Sequence, residues 1–279
     1  MGRVNMNRLK PCFVYPGPLS DFSLHNHTRW SDGKANAEEM CRAAKAAGIR
    51  RFGISDHYVR HPERSMMPVS YSIDLSRVDE YCAELERLKK VFNTEDFTLY
   101  AGLEVDFFFE NIDGVIAELS QYPLDYLIGS VHFSGTFPID HSEEYWKPLT
   151  LDQIDEICRC YWQKMLGAAQ CGHFTFLGHL DLPKKFGFLP DPALYFPSAV
   201  KVLDAAAANG VGIEINTAGW FKPCGEPYPS SPLLKEAYRR KIPIVIDSDA
   251  HDPELVARGF SEARELLRHI GYPADAAGR

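Results

Sequence analysis

The 279-residue chain is 45% apolar and 24% charged, enough hydrophobic content for a sizeable core and an ordinary balance for a globular protein. Its 30 basic residues against 38 acidic ones give a formal charge of −8. That excludes broad binding to long nucleic acids or anionic membranes, and an anionic substrate would need a local attraction such as bound metal ions supply.

At the N-terminus, MGRVNMNRLKPCFVYPG lacks the unbroken apolar core of a signal peptide, and no run in the chain approaches the ~18 apolar residues of a membrane span. Short apolar runs then predict strands at 22–25 (FSLH), 51–55 (RFGIS), 98–105 (TLYAGLEV), 125–133 (DYLIGSVHF), 174–180 (FTFLGHL), 211–216 (VGIEIN) and 242–249 (IPIVIDSD). Helical patterns fill the intervals at 36–47, 74–91, 112–120, 150–171, 196–209, 230–240 and 253–270. The first has Asn36 as N-cap, acids in its opening turn and Gly48 as terminator. The second aligns Leu75, Val78, Tyr81, Cys82, Leu85, Leu88 and Val91 on one stripe. Repeated strand–helix alternation without a compositional break predicts an α/β fold, a closed or nearly closed seven-stranded parallel barrel forming one domain over residues 1–279. The longest irregular segments, 58–73 and 181–195, follow strands directly, where barrel loops shape active sites. Within the first, RHPERSMMP (60–68) reads as a solvated loop. Seven cysteines, at 12, 41, 82, 158, 160, 171 and 224, include no CxxC pair and read as buried small residues in a reducing, cytoplasmic protein.

Every predicted strand ends in polar side chains of ligand type: His25, His27 and Asp32 after the first, Asp56 and His57 after the second, Glu104 and Asp106 after the third. His132, then His179 and Asp181, then Asn216, then Asp249 and His251 follow the remaining four. Six of the ten histidines occupy these ends, which a parallel barrel brings to one face. Alternate residues of a strand point the same way, so the HxH pair can grip one ion. An imidazole and carboxylate set without cysteine suits zinc, manganese or iron. About nine candidate ligands exceed the four to six that one ion takes, which implies two or three divalent ions. Such a cluster, with a bridging hydroxide, serves displacement of a leaving group from phosphorus or a carbonyl.

HNHTRWSDG, ISDH, GLEVDF, GSVH, GHLD and SDAH, in this order from Asp21 to about Gly259, resemble the PHP (polymerase and histidinol phosphatase) superfamily. LGHLDLPKKFGFLP and EINTAGWFKPCGEPYPS look like segments of its histidinol-phosphatase branch. The resemblance implies a distorted (β/α)7 TIM-like barrel with the metal site at the C-terminal ends of the strands. By motif it places a first ion on His25, His27, Glu104 and Asp249, a second on Glu104, His132 and His179, and a third on Asp32, His57 and His251. Two positions depart from the branch's pattern: Asp32 stands where a histidine is common, and Phe221 stands where an arginine able to hold a substrate phosphate often occurs.

The implied activity is that of a hydrolase, a phosphatase releasing phosphate from histidinol phosphate in histidine biosynthesis, with Glu104, Asp249, His251 and Asp56 as the catalytic group. Lys222, Arg60 and Asn216 are the candidate contacts to substrate, with a cap on the turn into Thr217 as the competing role of Asn216. Asp56, Asp181 and either Asp247 or Asp252 are expected to orient neighbouring imidazoles, or else to cap their loops. Tyr58, Phe107, Phe108, Phe133, Trp220 and Phe221 are candidates for an aromatic wall, with plain core as the competing role. The partner is thus a small-molecule phosphate ester. A nucleotide or sugar phosphate is the alternative substrate, and an inactive metal-binding module the alternative role.

Overall fold

A computed structural model describes residues 22–272 except 64, 66–68 and 190. Cys12, the opening segment, and residues 64 and 66–68 of the 60–68 loop lie outside the described residues. Seven parallel strands run in the order β1 (Phe22–Ser23), β2 (Arg51–Ile54), β4 (Thr98–Asp106), β5 (Tyr126–Ser130), β8 (Phe176–Leu177), β9 (Gly212–Asn216) and β10 (Ile244–Asp247). A parallel bridge between Asn26 and Ala250 joins the two ends of this sequence, with the His27 amide donating to the Ala250 carbonyl at 2.9 Å. Helices α1 (Ala37–Ala46), α2 (Val78–Phe92), α3 (Ile112–Leu119), α4 (Leu151–Cys171), α5 (Phe196–Asn209), α6 (Ser231–Arg239) and α7 (Phe260–Ile270) connect the strands. The result is the expected seven-stranded α/β barrel. No helix among the described residues is long and apolar enough to cross a membrane.

Local sequence sets the helix ends. Asn36 closes a capping box with Glu39 at the start of α1, and Thr150 does the same with Gln153 at the start of α4. Gly172 and Gly210, both left-handed, end α4 and α5.

Several details differ from the sequence reading: the strands expected over 22–25, 125–133 and 174–180 shorten to Phe22–Ser23, Tyr126–Ser130 and Phe176–Leu177, and the helix expected from 74 opens with a 3-10 turn at Leu75–Arg77. The helix expected over 253–270 is a 3-10 turn at Pro253–Leu255 followed by α7, because Gly259 takes φ 76 and interrupts it. A short strand β3 (His57–Tyr58) pairs with β4, and a hairpin of β6 (Phe133–Ser134) and β7 (Phe137–Pro138) follows β5; both are too short for a periodicity to reveal. Strand β10 ends at Asp247 rather than Asp249, since Asp249 is left-handed with φ 52.

Phe22, Leu24, Tyr126, Ile128, Phe176 and Val245 form a small core of their own. The Tyr126 ring fills space left by glycine: a Cβ on Gly102 would lie 2.3 Å from Tyr126 Cζ. The Tyr126 hydroxyl donates to the Leu24 carbonyl. Each of the six precedes a polar strand-end group in sequence, Leu24 standing immediately before His25, so this plug fills the barrel below the polar groups and leaves the C-terminal face as the place where they collect.

Candidate metal centre

Glu104 is the hub. It lies on β4 with no solvent exposure, and the parallel register sets His57 of β3 directly opposite it. Its Oε2 is 2.7 Å from His57 Nδ1, 3.2 Å from His25 Nε2 and 3.6 Å from His27 Nε2. Its Oε1 is 2.8 Å from His179 Nε2 and 3.4 Å from His132 Nε2. Asp249 Oδ1 stands 3.1 Å from His27 Nε2 and 3.7 Å from both His25 Nε2 and His251 Nδ1. Asp32 Oδ1 reaches His251 Nε2 at 3.2 Å and His57 Nε2 at 3.8 Å. The nine candidate ligands therefore converge, and their ligand atoms fall into four overlapping groups, each within 4.8 Å.

The donor set fits divalent cations. His25 Nε2, both ring nitrogens of His27, His57 Nδ1 and Glu104 Oε2 are buried without a hydrogen-bond partner among the described residues. Such orphaned atoms are costly unless an ion or water takes them. The Nε2 atoms of His132 and His179 lie 3.1 Å apart, within hydrogen-bond distance of one another and both turned toward Glu104 Oε1. Burial and the neighbouring His251 and His57 push His27 down to about 3, which leaves it neutral with its lone pair free. Burial would also lower His132, but Asp106 and Glu104 outweigh it and raise the ring to about 10. Among the described residues the centre thus combines a neutral imidazole donor with carboxylates that hold positive charge, as a divalent-ion site requires.

The groups that orient these ligands are mostly not the expected ones. Asp106 contacts His132 Nδ1 through Oδ1. Glu214, two residues before Asn216 on the same side of β9, takes His25 Nδ1 at 2.9 Å and accepts from the His179 amide at 2.6 Å. Its signal in the sequence was its place two residues before a strand-end asparagine. Asp56, expected in the catalytic group, instead accepts from the amide and hydroxyl of Thr28 and of Ser31, so it fixes the turn after the HxH pair. Asp181 accepts from Lys184 and from the Ser230 amide rather than from His179. Asp247 accepts from the Leu24 and His25 amides, and Asp252 caps the 3-10 turn through the Glu254 amide.

A cavity of about 450 Å³ opens over the cluster. Asp32, His57, His132, His179, Asp249 and His251 form its floor, and Lys185, Lys222 and Arg258 supply its positive wall. Asp140 lies there too, with Lys185 Nζ 3.1 Å from its Oδ2. Among the expected substrate contacts Lys222 lines the cavity, but Arg60 does not: its guanidinium pairs with Glu118 and approaches Tyr58. Asn216 is fully buried and spends its side chain on Glu214, Asp249 and the Ala218 amide, so it positions ligands instead of meeting substrate. Tyr58, Phe107, Phe108 and Phe133 are core residues, and the cavity's aromatic rings are Tyr71 and Tyr228. Sequence reading missed Lys185, Arg258, Asp140, Tyr71 and Tyr228, because loops far apart in sequence bring them to one wall.

Comparison with known proteins agrees with this geometry. A profile of the PHP domain matches residues 23–218. The chain is 36% identical over 234 residues to a probable histidinol-phosphatase of Deinococcus radiodurans, covering 84% of this chain and 86% of that one. It is 29% identical over 196 residues to the histidinol-phosphatase of Bacillus subtilis, covering 62% and 70%. Its fold is similar to that of the histidinol phosphate phosphatase of Lactococcus lactis, solved with zinc, L-histidinol and phosphate, with a TM-score of 0.74, 23% identity and coverage of 91% and 94%.

Proposed function

The chain belongs to the PHP domain family, and from that membership we propose that it is a metal-dependent phosphatase acting on L-histidinol phosphate in histidine biosynthesis. The observation that carries this reading is the gathering of five imidazoles on the two oxygens of Glu104, beneath a cavity with a cationic wall.

The ligand assignment follows the family's motif: His25, His27, Glu104 and Asp249 would hold one ion, Glu104, His132 and His179 a second, and Asp32, His57 and His251 a third, with zinc, manganese or iron as the ions. In support, the same nine residues fall into overlapping groups, although Glu104 is grouped with His25 and His179 and, separately, with His57 and His132. Bound there, divalent ions make hydroxide available at neutral pH and neutralise the phosphoryl charge. Glu104 offers one oxygen to each half of the cluster. Asn216 Nδ2, 3.3 Å from Asp249 Oδ2, fixes that carboxylate, and the Asp249 carbonyl accepts from His251 Nδ1 at 3.0 Å. Asp249 and His251 both line the cavity, so the ions they would hold stand beside the space that a substrate enters. The water oxygen forms the new P–O bond as the bond to the histidinol oxygen breaks, and that oxygen leaves with the proton the water gave up. Lys222 meets the phosphate as a point charge. Asp140, held ionised against burial by Lys185 beside it, is the carboxylate that the substrate's ammonium group would meet. The free cysteines among the described residues suit a reducing cytoplasm.

Phosphate release from L-histidinol phosphate, a nucleotide monophosphate and a sugar phosphate tests the reading, with metal content measured in parallel. A strong preference for histidinol phosphate, lost with chelator and restored by zinc, manganese or iron, is the expected result. Faster turnover of another ester by fully loaded protein would overturn the substrate, and inactivity at full loading would overturn the enzyme.

A further inference from the structure

Phe221 is one of the few large apolar side chains left exposed, at 54%, and Arg258 covers it: the guanidinium carbon stands 4.2 Å from the ring centroid. Arg258 makes no ion pair among the described residues, and its Nε is buried without a hydrogen-bond partner. Arg258 thus lines the cavity with no carboxylate partner among the described residues.

Its backbone is tied down on both sides. The Arg258 amide donates to the Leu255 carbonyl at 3.0 Å, and its own carbonyl accepts from Thr217 Oγ1 at 2.5 Å. Thr217 opens the 3-10 turn Thr217–Phe221, so the same turn anchors the arginine and supplies the ring beneath it. Gly259 makes this approach possible: a Cβ there would come within 2.9 Å of Thr217 Cβ, and φ 76 turns the chain between Arg258 and α7. The break in the expected 253–270 helix is thus what aims this side chain at the cavity.

The other two cations of the wall are less free. Lys185 Nζ is engaged by the carbonyl and carboxylate of Asp140 at 2.8 and 3.1 Å. Lys222 carries no fork and can give only a point charge. The Arg258 guanidinium carbon, 4.2 Å from the Phe221 centroid, is in cation–π contact, and a guanidinium held this way has a planar set of N–H donors that can match two oxygens of a phosphate.

We propose that Arg258, seated on Phe221, is the bidentate grip for the phosphoryl group of the substrate. This rests on the phosphatase reading but not on the identity of the alcohol, because the fork meets only phosphate oxygens. The residue at 221 then contributes a platform instead of a charge, and the charge arrives from the segment before α7.

The test compares wild type with Arg258→Gln, Arg258→Lys and Phe221→Ala, each checked for metal content and thermal melting. Inorganic phosphate is the probe, as a competitive inhibitor and by direct calorimetric titration of the metal-loaded protein. Arg258→Gln should weaken phosphate binding and raise KM by roughly 10- to 100-fold, the loss of a charge-assisted fork, at unchanged metal content. Arg258→Lys should recover only part of this, and Phe221→Ala should cost roughly 2- to 5-fold, as a stacking contact does. Phosphate binding and KM indistinguishable from wild type in Arg258→Gln would overturn the proposal. If wild type prefers another ester, the same comparison on that ester and on inorganic phosphate still decides the role of Arg258 while the histidinol reading fails separately.

Discussion

Glu104 Oε2 and His57 Nδ1 lie 2.7 Å apart because the β3–β4 register sets the two residues opposite one another. The contact is therefore fixed by backbone pairing, and Oε1 remains free to face His179 at 2.8 Å. Glu104→Gln keeps the volume but replaces an anionic oxygen with an N–H2 group aimed at imidazole nitrogens that need a cation. Metal content should fall and kcat should drop by at least ~100-fold, beyond the range seen for outer-shell partners. Elemental analysis with phosphate-release kinetics checks both, and a fully loaded, fully active variant would remove Glu104 from the shared position.

Asp106 acts one step further out. It is buried at 3% exposure and touches His132 Nδ1, which turns Nε2 toward Glu104. Asp106→Asn retains the shape and loses the charge that favours a metal-bound imidazole, so metal affinity should weaken by ~10–100-fold. Titration with a chelating competitor reads this directly. Unchanged affinity would mean that packing alone orients His132.

Asp56 separates a positioning role from a catalytic one. Its four hydrogen bonds hold Thr28 and Ser31, and burial raises its carboxyl while those bonds lower it. Asp56→Asn removes charge-assisted bonds, at roughly 1.5–3 kcal/mol for each one lost, and should lower the melting temperature before it lowers activity per bound metal. A large fall in kcat at unchanged melting temperature and metal content would return Asp56 to the catalytic group.

The strand-end histidines were legible because a parallel barrel converts position along a strand into position in space: His25, His57, His132 and His179 needed only their place after an apolar run. Their orienting partners were harder to read. Asp56 and Asp181 sit near histidines in sequence yet spend their oxygens on Thr28, Ser31, Lys184 and Ser230, whereas Glu214 supports His25 from 189 residues away. Sequence adjacency says little about which carboxylate reaches an imidazole once alternate residues face opposite sides. Arg258 was hidden for a different reason. The 253–270 pattern reads as one helix, and only the left-handed Gly259 shows that the segment before it leaves that helix for the cavity wall. Of the two roles its place at a strand end offered Asn216, the structure shows the cap on the turn into Thr217, through the Ala218 amide, while its Nδ2 is consumed by Glu214 and Asp249.

Cys41, Cys82 and Cys158 are buried, and burial pushes each thiol up to about 12. Below the ordinary thiol pKa of about 8.5 both folded and unfolded chains keep these protons, and the fold retains its full stability. Above it the unfolded chain ionises while the folded one cannot, so stability should decline as pH rises from about 8.5 toward 12. Thermal melts across that range check the decline, and Cys41→Ala should flatten it by removing one contributor. Alkylation of the native protein at mildly alkaline pH gives an independent reading, because the thiolate is the reactive form. The partly exposed Cys160, Cys171 and Cys224 should be modified before the three buried thiols. Early labelling of Cys41 in a protein that still melts cooperatively would show that α1 leaves the barrel more readily than its fully buried face implies.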